Sequence, residues 1–287
     1  MIGHLLLEKL ARQVQTRVPE TDLIMQAQDQ VVAFMEGGRD EGILAYIYLF
    51  HAVMSLPVIC PGDTVIDLAC GPANQLAQIA RFHPDTRFIG VDASPSMLAL
   101  ARGTLAANRL DNVTLQQGDV TQLTGFADQS ADAVICTMSL HHLPDTAALA
   151  ATMREIGRVL KPGGGVYLAD FGRLKRAATQ RFFAYDRQEL QSDQFTADFL
   201  ASMRAAFSTA EFTTALAEIG SPVHYHQTAL APFMIIGRSA ARHPIGADLA
   251  AQVKASYAAL SAGHRRNFDN FTRWFKAGGL ELPCNVK

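Results

Sequence analysis

Three aspartates in the first half of the chain stand at the ends of short apolar runs. These residues are Asp67, Asp92 and Asp119, and 25 positions separate the first two. Short runs of this composition predict β-strands. Acids at the carboxyl ends of parallel strands meet at one edge of a sheet, where open α/β folds bind their ligands. A carboxylate repels phosphate, but it attracts an ammonium group and accepts hydrogen bonds from sugar hydroxyls. The pattern therefore predicts a site for a hydroxylated or cationic ligand.

The first of these runs is followed by a turn of small residues. Residues 65–73 predict a strand and a tight turn, and a helix is expected to begin near Asn74. Small side chains let backbone N–H groups and a helix N-terminus come close to a ligand. From here the pattern alternates between strand and helix, which is typical of a parallel sheet with helices on both faces. The predicted strands are 64–68, 87–91, 113–117, 131–137, 166–170, 224–230 and 233–237.

This stretch resembles motif I of the class I S-adenosylmethionine (SAM)-dependent methyltransferases, in which an acid precedes Gly-x-Gly-x-Gly. The chain keeps Gly71 and has Ala69 and Ala73 at the flanking glycine positions. The resemblance spans about residues 62–171 and includes Leu160-Lys161-Pro162-Gly163-Gly164. It is most similar to the small-molecule branch that includes ubiquinone- and menaquinone-biosynthesis enzymes. The sequences that carry this similarity are Ser94-Pro95-Ser96-Met97-Leu98 and His141-His142-Leu143.

The resemblance implies a Rossmann-like, seven-stranded, mostly parallel sheet whose last two strands form a hairpin at one edge. It implies SAM as cofactor, S-adenosylhomocysteine as product and a small-molecule methyl acceptor. In such enzymes the acid corresponding to Asp92 accepts the ribose hydroxyls, that corresponding to Asp119 accepts the adenine amino group, and Met97 matches a residue that packs on the adenine. The cofactor-binding residues that it implies are Asp67, Ala69, Gly71, Asn74, Asp92, Ala93, Ser94, Met97, Gly118, Asp119, Val120 and Met138.

Catalytic and acceptor-binding candidates lie outside this set. His141 and His142 follow the fourth predicted strand and have a pKa range suited to a general base, although the favoured interpretation is that they position the loop. The Asn/Asp-Pro-Pro-aromatic motif of nucleobase N-methyltransferases is absent there, which argues against a nucleic-acid substrate. No residue is predicted to bind a metal. The candidates for acceptor binding are Arg39, Tyr46, Asp170, Arg173 and Arg176.

Composition describes a globular protein with a large core. The 287 residues are 49% hydrophobic and 18% charged, with a net charge of −2, so no basic surface indicates nucleic acid. The N-terminus lacks the apolar run of a signal peptide, no segment is long enough to span a membrane, and the spacing of the four cysteines suggests reduced thiols. A cytoplasmic location is therefore expected.

Helical segments are predicted to flank the sheet. Residues 1–60 form a predicted helical cap, with helices over 4–17, from 21 to 37 and over 40–54. Residues 61–240 form the predicted SAM-binding domain, and 241–287 a helical extension. The predicted helices between the strands cover 96–108, 146–160, 177–190, 196–206 and 209–219. Aromatic residues in the extension are interpreted as a packing face, or as the contact of a homodimer.

Two other functions remain open. A nicotinamide-dependent oxidoreductase would be expected to have Gly-x-Gly-x-x-Gly, whereas residues 69–74 of this chain have a single glycine. A protein that binds SAM without transferring methyl groups would keep the same acids. Sequence alone does not separate this last possibility from an enzyme.

Overall fold

The computed structural model describes residues 1–20, 42–186 and 188–287. The α-helices in these ranges are α1 (Ile2–Leu10), α2 (Ala45–Ser55), α3 (Asn74–Arg81), α4 (Pro95–Ala107), α5 (Thr146–Val159), α6 (Ala177–Tyr185), α7 (Asp193–Ala205), α8 (Thr209–Ala217), α9 (Ala247–Ala259) and α10 (Ala262–Ala277). The strands are β1 (Thr64–Leu68), β2 (Arg87–Asp92), β3 (Val113–Gln117), β4 (Ala131–Thr137), β5 (Leu160–Phe171), β6 (Val223–Gln227) and β7 (Met234–Ser239).

The seven strands form one sheet in the order β3-β2-β1-β4-β5-β7-β6. The first five are parallel, and β7 runs antiparallel to both β5 and β6. Strand order reverses between β1 and β4, so the carboxyl ends of these two strands border the crevice where open α/β sheets bind ligands. The predicted mostly parallel sheet, with its edge hairpin, is confirmed.

Both faces of the central strands are buried, because helices cover the sheet on each side. Val65 and Ile135 belong to one apolar cluster, and Ile66 and Val134 belong to the other. Successive side chains of a strand point to opposite faces. This explains why these strands are continuous apolar runs that the sequence alone locates well.

The largest difference from the predicted elements concerns residues 160–165, which were expected to end a helix and form a loop. Helix α5 ends at Val159, and β5 begins at Leu160. The pairing of β5 with β4 jumps from Leu160 opposite Ala131 to Gly165 opposite Ala133. The intervening residues therefore bulge out of the ladder. Gly165 has no room for a side chain, since a Cβ atom there would lie 2.0 Å from the Val58 carbonyl oxygen.

The N-terminal cap also differs from its prediction. Helix α1 ends at Leu10, whereas the apolar pattern predicted a helix to residue 17. Residues 11–20 instead form a segment without helix or strand, which we call the strap. Its Gln15 N–H donates to the Lys175 carbonyl and its Val18 N–H to the Arg204 carbonyl. The helix predicted from residue 21 to 37 lies outside the described residues.

Helices α9 and α10 form the predicted C-terminal helical extension. The aromatic face of α10 packs on α2, with Phe271 and Phe275 at 4.8 and 5.1 Å from Phe50 between ring centroids. In the part of the chain that the structure describes, no helix is long and apolar enough to cross a membrane. The division of the chain at residues 60 and 240 stays a prediction.

Candidate active site

The turn after β1 has an unusual backbone. Ala69, Gly71 and Ala73 all adopt left-handed conformations, with φ angles of 54, 54 and 61°. Each alanine in this region costs about 1–2 kcal/mol relative to a right-handed residue. The turn is held by two backbone bonds of 2.9 Å, from Cys70 N–H to the Val91 carbonyl and from Ala73 N–H to the Cys70 carbonyl. The turn thus adopts conformations that glycine favours at two positions where this chain has alanine.

Asp92 ties this turn to the end of β2. One carboxylate oxygen accepts a hydrogen bond from Gly71 N–H and the other from Ser94 N–H, both at 2.8 Å. Ser94 in turn caps α4 by accepting from Met97 N–H at 3.3 Å. Because each carboxylate oxygen has two lone pairs, Asp92 retains the capacity to accept ligand hydroxyls on both oxygens.

A cavity of about 750 Å³ opens at this edge of the sheet. All twelve predicted cofactor-binding residues line it, together with Tyr48 from α2 and His142 from the loop after β4. Residues at the ends of β1, β2, β3 and β4, which the sequence analysis assigned to one site, therefore line one cavity in the fold. Their binding role stays a prediction.

The electrostatics of this cavity favour a cation. Asp67, Asp92 and Asp119 line it, and the described lining residues include no lysine or arginine. Burial, and then the charge of Asp92, raise the pKa of Asp67 well above its usual value. Burial likewise raises the pKa of Asp92. A ligand with an ammonium or sulfonium group would stabilise both carboxylates, whereas a phosphate would be repelled.

The cavity also contains a buried hydrogen-bond donor without a partner among the described residues. The Nδ2 atom of Asn74, at the start of α3, is buried and makes no hydrogen bond in the structure. An unsatisfied buried amide costs about 1–3 kcal/mol. The acids, the open turn and this donor fit the amino acid and nucleoside parts of SAM, which combine positive charge, hydroxyls and hydrogen-bond acceptors.

A second cavity, of about 810 Å³, adjoins the first, and Tyr48, Met138 and His142 line both. Aromatic rings form part of its wall, together with aliphatic, polar and charged side chains that include Glu20, Arg204 and Arg273. The rings of Phe233 and Trp274 stack with centroids 5.5 Å apart, and Phe183 lies 4.4 Å from Phe233. The other aromatic residues that line it are Tyr46, Phe171, Phe195, Phe199 and Phe271.

Two adjacent histidines lie beside the cavities, and each is paired with an acid. His141 Nδ1 lies 2.6 Å from Asp170 Oδ1, and the other Asp170 oxygen accepts from the His141 backbone N–H at 2.8 Å. His142 Nδ1 lies 2.5 Å from Glu20 Oε2. Burial lowers the pKa of His141, but Asp170 and Glu20 outweigh it and leave the pKa raised. One side-chain nitrogen or oxygen atom of each of Glu20, His141 and His142 lies within 4.8 Å of the other two.

The predicted acceptor-binding residues are scattered. Tyr46 lines the aromatic cavity. Asp170 is buried and is engaged with His141. Arg173 Nη2 pairs with Glu211 at 2.7 Å, and Arg176 is absent from the described linings of both cavities. Arg39 lies outside the described residues.

Sequence reasoning missed Tyr48, Glu20 and most of the aromatic wall. Tyr48 lies two residues after the predicted Tyr46 in α2, and only the packing of that helix decides that Tyr46 lines one cavity and Tyr48 lines both. Glu20 does not belong to any recognisable sequence motif. Its position depends on the strap, which no periodic pattern indicated.

The sequence of residues 65–164 matches the family model of a methyltransferase domain. The match contains β1 through the start of β5, which includes the acids and the turn described above. Residues 65–164 form a class I SAM-dependent methyltransferase domain. SAM is the cofactor of this class.

The methyltransferase domain is similar to curated enzymes over about a third of the chain. The demethylmenaquinone methyltransferase of Symbiobacterium thermophilum is 40% identical over 106 residues, which cover 36% of this chain and 41% of that protein. The trans-aconitate 2-methyltransferase of Deinococcus radiodurans is 38% identical over 104 residues, or 36% of each chain. The chain thus matches less than half the length of these relatives.

The fold has a wider set of relatives. A SAM-dependent methyltransferase from Aquifex aeolicus shares 15% identity with a TM-score of 0.55, covering 76% of this chain and 99% of that one. At this identity the similarity concerns the fold alone. The regions outside 65–164, including α2 and α10, supply most of the residues that line the aromatic cavity.

Proposed function

We propose that the protein transfers a methyl group from SAM to a small molecule with an apolar, aromatic body. One observation carries this proposal: the acid-lined cavity of the methyltransferase domain and the aromatic cavity meet at Tyr48, Met138 and His142. A methyl donor in the first and an acceptor in the second would face each other across that junction. We also propose a cytoplasmic location and no nucleic-acid substrate. A homodimer is a further hypothesis.

In the first cavity, three acids would hold three parts of the cofactor. We assign Asp67 to the amino group, Asp92 to the ribose hydroxyls and Asp119 to the adenine amino group, with Met97 against the adenine ring. Asp119 Oδ1 already accepts from Thr121 N–H at 2.8 Å, which fixes the carboxylate. When bound, SAM supplies a methyl group already activated by its sulfonium. The chain's own residues would then orient and hold the two reactants and exclude water from them.

The second cavity suits a planar, apolar acceptor. Its stacked rings offer offset and edge-on contacts, each of which contributes about 0.5–1.5 kcal/mol beyond the burial of area. One relative is named for demethylmenaquinone and another for trans-aconitate, which is a small acid. The aromatic wall favours an acceptor of the first kind. Asn267 and Asn270 of α10 also line the cavity, and we assign them to a polar substituent of the acceptor.

Calorimetric titration with SAM, followed by an acceptor screen with isotope-labelled SAM and mass detection of products, tests the proposal. We expect one SAM per chain and labelled product from aromatic acceptors. Binding without product from any acceptor would support a non-catalytic SAM-binding protein instead. Enhanced NADH fluorescence on mixing, with no SAM binding, would support an oxidoreductase.

A further inference from the structure

The strap brings a carboxylate to a histidine at the junction of the two cavities. We propose that His142 is the general base of methyl transfer, that Glu20 positions it, and that the acceptor is therefore a hydroxyl compound of the phenol class. This inference rests on the proposed function. It assigns a role to one histidine of the pair and gives an anchoring role to the other.

His142 is the histidine that reaches both cavities, whereas His141 lines the aromatic cavity alone. With Nδ1 of His142 held by Glu20 at 2.5 Å, the Nε2 atom is left on the opposite side of the ring. A carboxylate that accepts from Nδ1–H fixes the tautomer whose Nε2 lone pair can take a proton. A base must lie within hydrogen-bond reach of the proton that it removes, and the junction is where the acceptor's reacting atom would stand.

Glu20 is itself held in place. Its Oε1 accepts from the Ser202 hydroxyl at 2.9 Å. Hydrogen bonds to Ser202 and His142, together with the charges of both histidines, outweigh burial and lower the pKa of Glu20. The carboxylate is thus ionised near neutral pH and able to stabilise an imidazolium. The charge of His142 also couples to Asp92, in the acid-lined cavity.

Arg17 fastens the strap that carries Glu20. Its guanidinium donates to four carbonyl oxygens, those of His141 at 3.0 Å, Leu143 at 2.5 Å, Pro144 at 2.6 Å and Ala205 at 2.6 Å. The loop after β4 and the end of α7 are thereby joined to the segment that supplies the acid. Glu8, at the other side of the strap, accepts from the backbone N–H groups of Lys175 and Arg176.

His141 has the anchoring role. Asp170 accepts from both its ring and its backbone N–H, and both side chains are only 3% exposed. The two imidazole centroids are 4.2 Å apart. The buried pair therefore fixes the short helical turn Leu140–His142 on which the base stands.

The proposed step balances without a further reactant. The acceptor O–H bond breaks as Nε2 of His142 takes the proton, and the oxygen electron pair forms the bond to the methyl carbon. The carbon–sulfur electron pair stays on sulfur, so the sulfonium charge disappears as an imidazolium forms beside Glu20. An acceptor that attacks through an already ionised carbon or carboxylate would need no such base. The paired histidine instead fits an acceptor whose attacking atom must lose a proton, and the aromatic rings of the cavity favour a phenol within that class.

Binding of 4-nitrophenol to the full chain in the presence of S-adenosylhomocysteine tests the inference without turnover. The ionised phenol absorbs visible light, so its deprotonation is seen directly. At a pH about one unit below the phenol's own pKa, wild-type protein should bind it largely as phenolate. His142→Gln should lose that signal, and Glu20→Gln should shift its pH midpoint, with partial rescue by Glu20→Asp. His224→Gln, which removes an exposed histidine on β6, is the matched control.

Methyl transfer supplies the second readout. General-base catalysis contributes about 10²–10⁴-fold, so kcat for a phenolic acceptor should fall by about that factor in His142→Gln. Because His142 also lines the acid-lined cavity, calorimetric SAM affinity should change as well, but by much less than kcat. An unchanged phenolate signal in His142→Gln, or none in wild-type protein, would overturn the inference. So would loss of the signal on chelator treatment, because a cation bridging Glu20, His141 and His142 would then be responsible. SAM binding and labelled product in those cases would leave the proposed function standing.

Discussion

Replacing Asp92 by asparagine should weaken SAM binding by a predictable amount. The carboxylate accepts from Gly71 N–H and Ser94 N–H at 2.8 Å each. An asparagine amide can accept through one atom only, and its NH₂ group would face the other backbone N–H. A hydrogen bond to a charged group contributes about 1.5–3 kcal/mol. Loss of one such bond to a ribose hydroxyl should therefore raise the SAM dissociation constant about 10- to 150-fold. Loss of a backbone bond, which Asp92 makes without SAM, should instead lower the stability of the protein.

Asp132→Asn is the matched control for this experiment. Asp132 also accepts from a backbone N–H, that of Thr64 at 2.9 Å, and it pairs with Lys161 at 2.8 Å. It lies near the start of β4, at the opposite edge of the sheet from the cavity. Both variants should lose some stability in thermal melts, but only Asp92→Asn should lose calorimetric SAM affinity. Equal SAM affinity in the two variants would refute the ribose assignment.

Three further predictions follow from particular residues. His51 is buried and its pKa is lowered to about 3 by burial; the unfolded chain takes up that proton below about pH 6.5, so stability should be constant above that pH and fall as the pH drops toward 3, by up to about 1.4 kcal/mol per unit. His51→Phe should flatten this slope in urea unfolding measured at several pH values. Trp274→Leu removes a ring of the acceptor wall, and should raise the KM of an aromatic acceptor severalfold while the SAM dissociation constant stays unchanged; equal changes in both would contradict the assignment of separate cavities. Ala69→Gly relieves a left-handed alanine, a gain of about 1–2 kcal/mol reduced by about 0.4–1 kcal/mol of unfolded-state entropy, so chemical denaturation should show a small net stabilisation, whereas a loss of stability would argue against strain at this turn.

The cofactor edge was predictable because its information is local. An acid at a strand end lies at the rim of the sheet whatever the rest of the chain does, provided that the strand is correctly placed. Strands β1, β3 and β4 were predicted with the bounds that the structure shows. Buried parallel strands are continuous apolar runs and tolerate few alternatives. The residues predicted around Asp67, Asp92 and Asp119 consequently line one cavity.

The acceptor side was not predictable by the same means, because it depends on contacts between distant elements. Trp274 lies three positions from Phe271 in a helix whose aromatic spacing indicates packing. Phe271 and Phe275 do pack on α2, yet Trp274, on the neighbouring face, stacks with Phe233 from before β7. Periodicity identifies the buried face of such a helix. It does not say which residues at the edge of that face will meet a cavity.

The strap also could not be predicted from local sequence. Residues 4–17 predicted a helix, and the chain leaves the helix at Leu10 because tertiary bonds to the strap replace the helical ones. Arg17 satisfies four carbonyl oxygens that a loop and a helix end would otherwise leave to water. In an isolated peptide these partners do not exist, so local propensity favours the helix. Glu20, which we assign to the base, reaches His142 because this segment is not helical. The acid-lined cavity is thus formed by residues that local strand patterns already locate, whereas the aromatic cavity depends on a segment that is held in place only once the whole fold has formed.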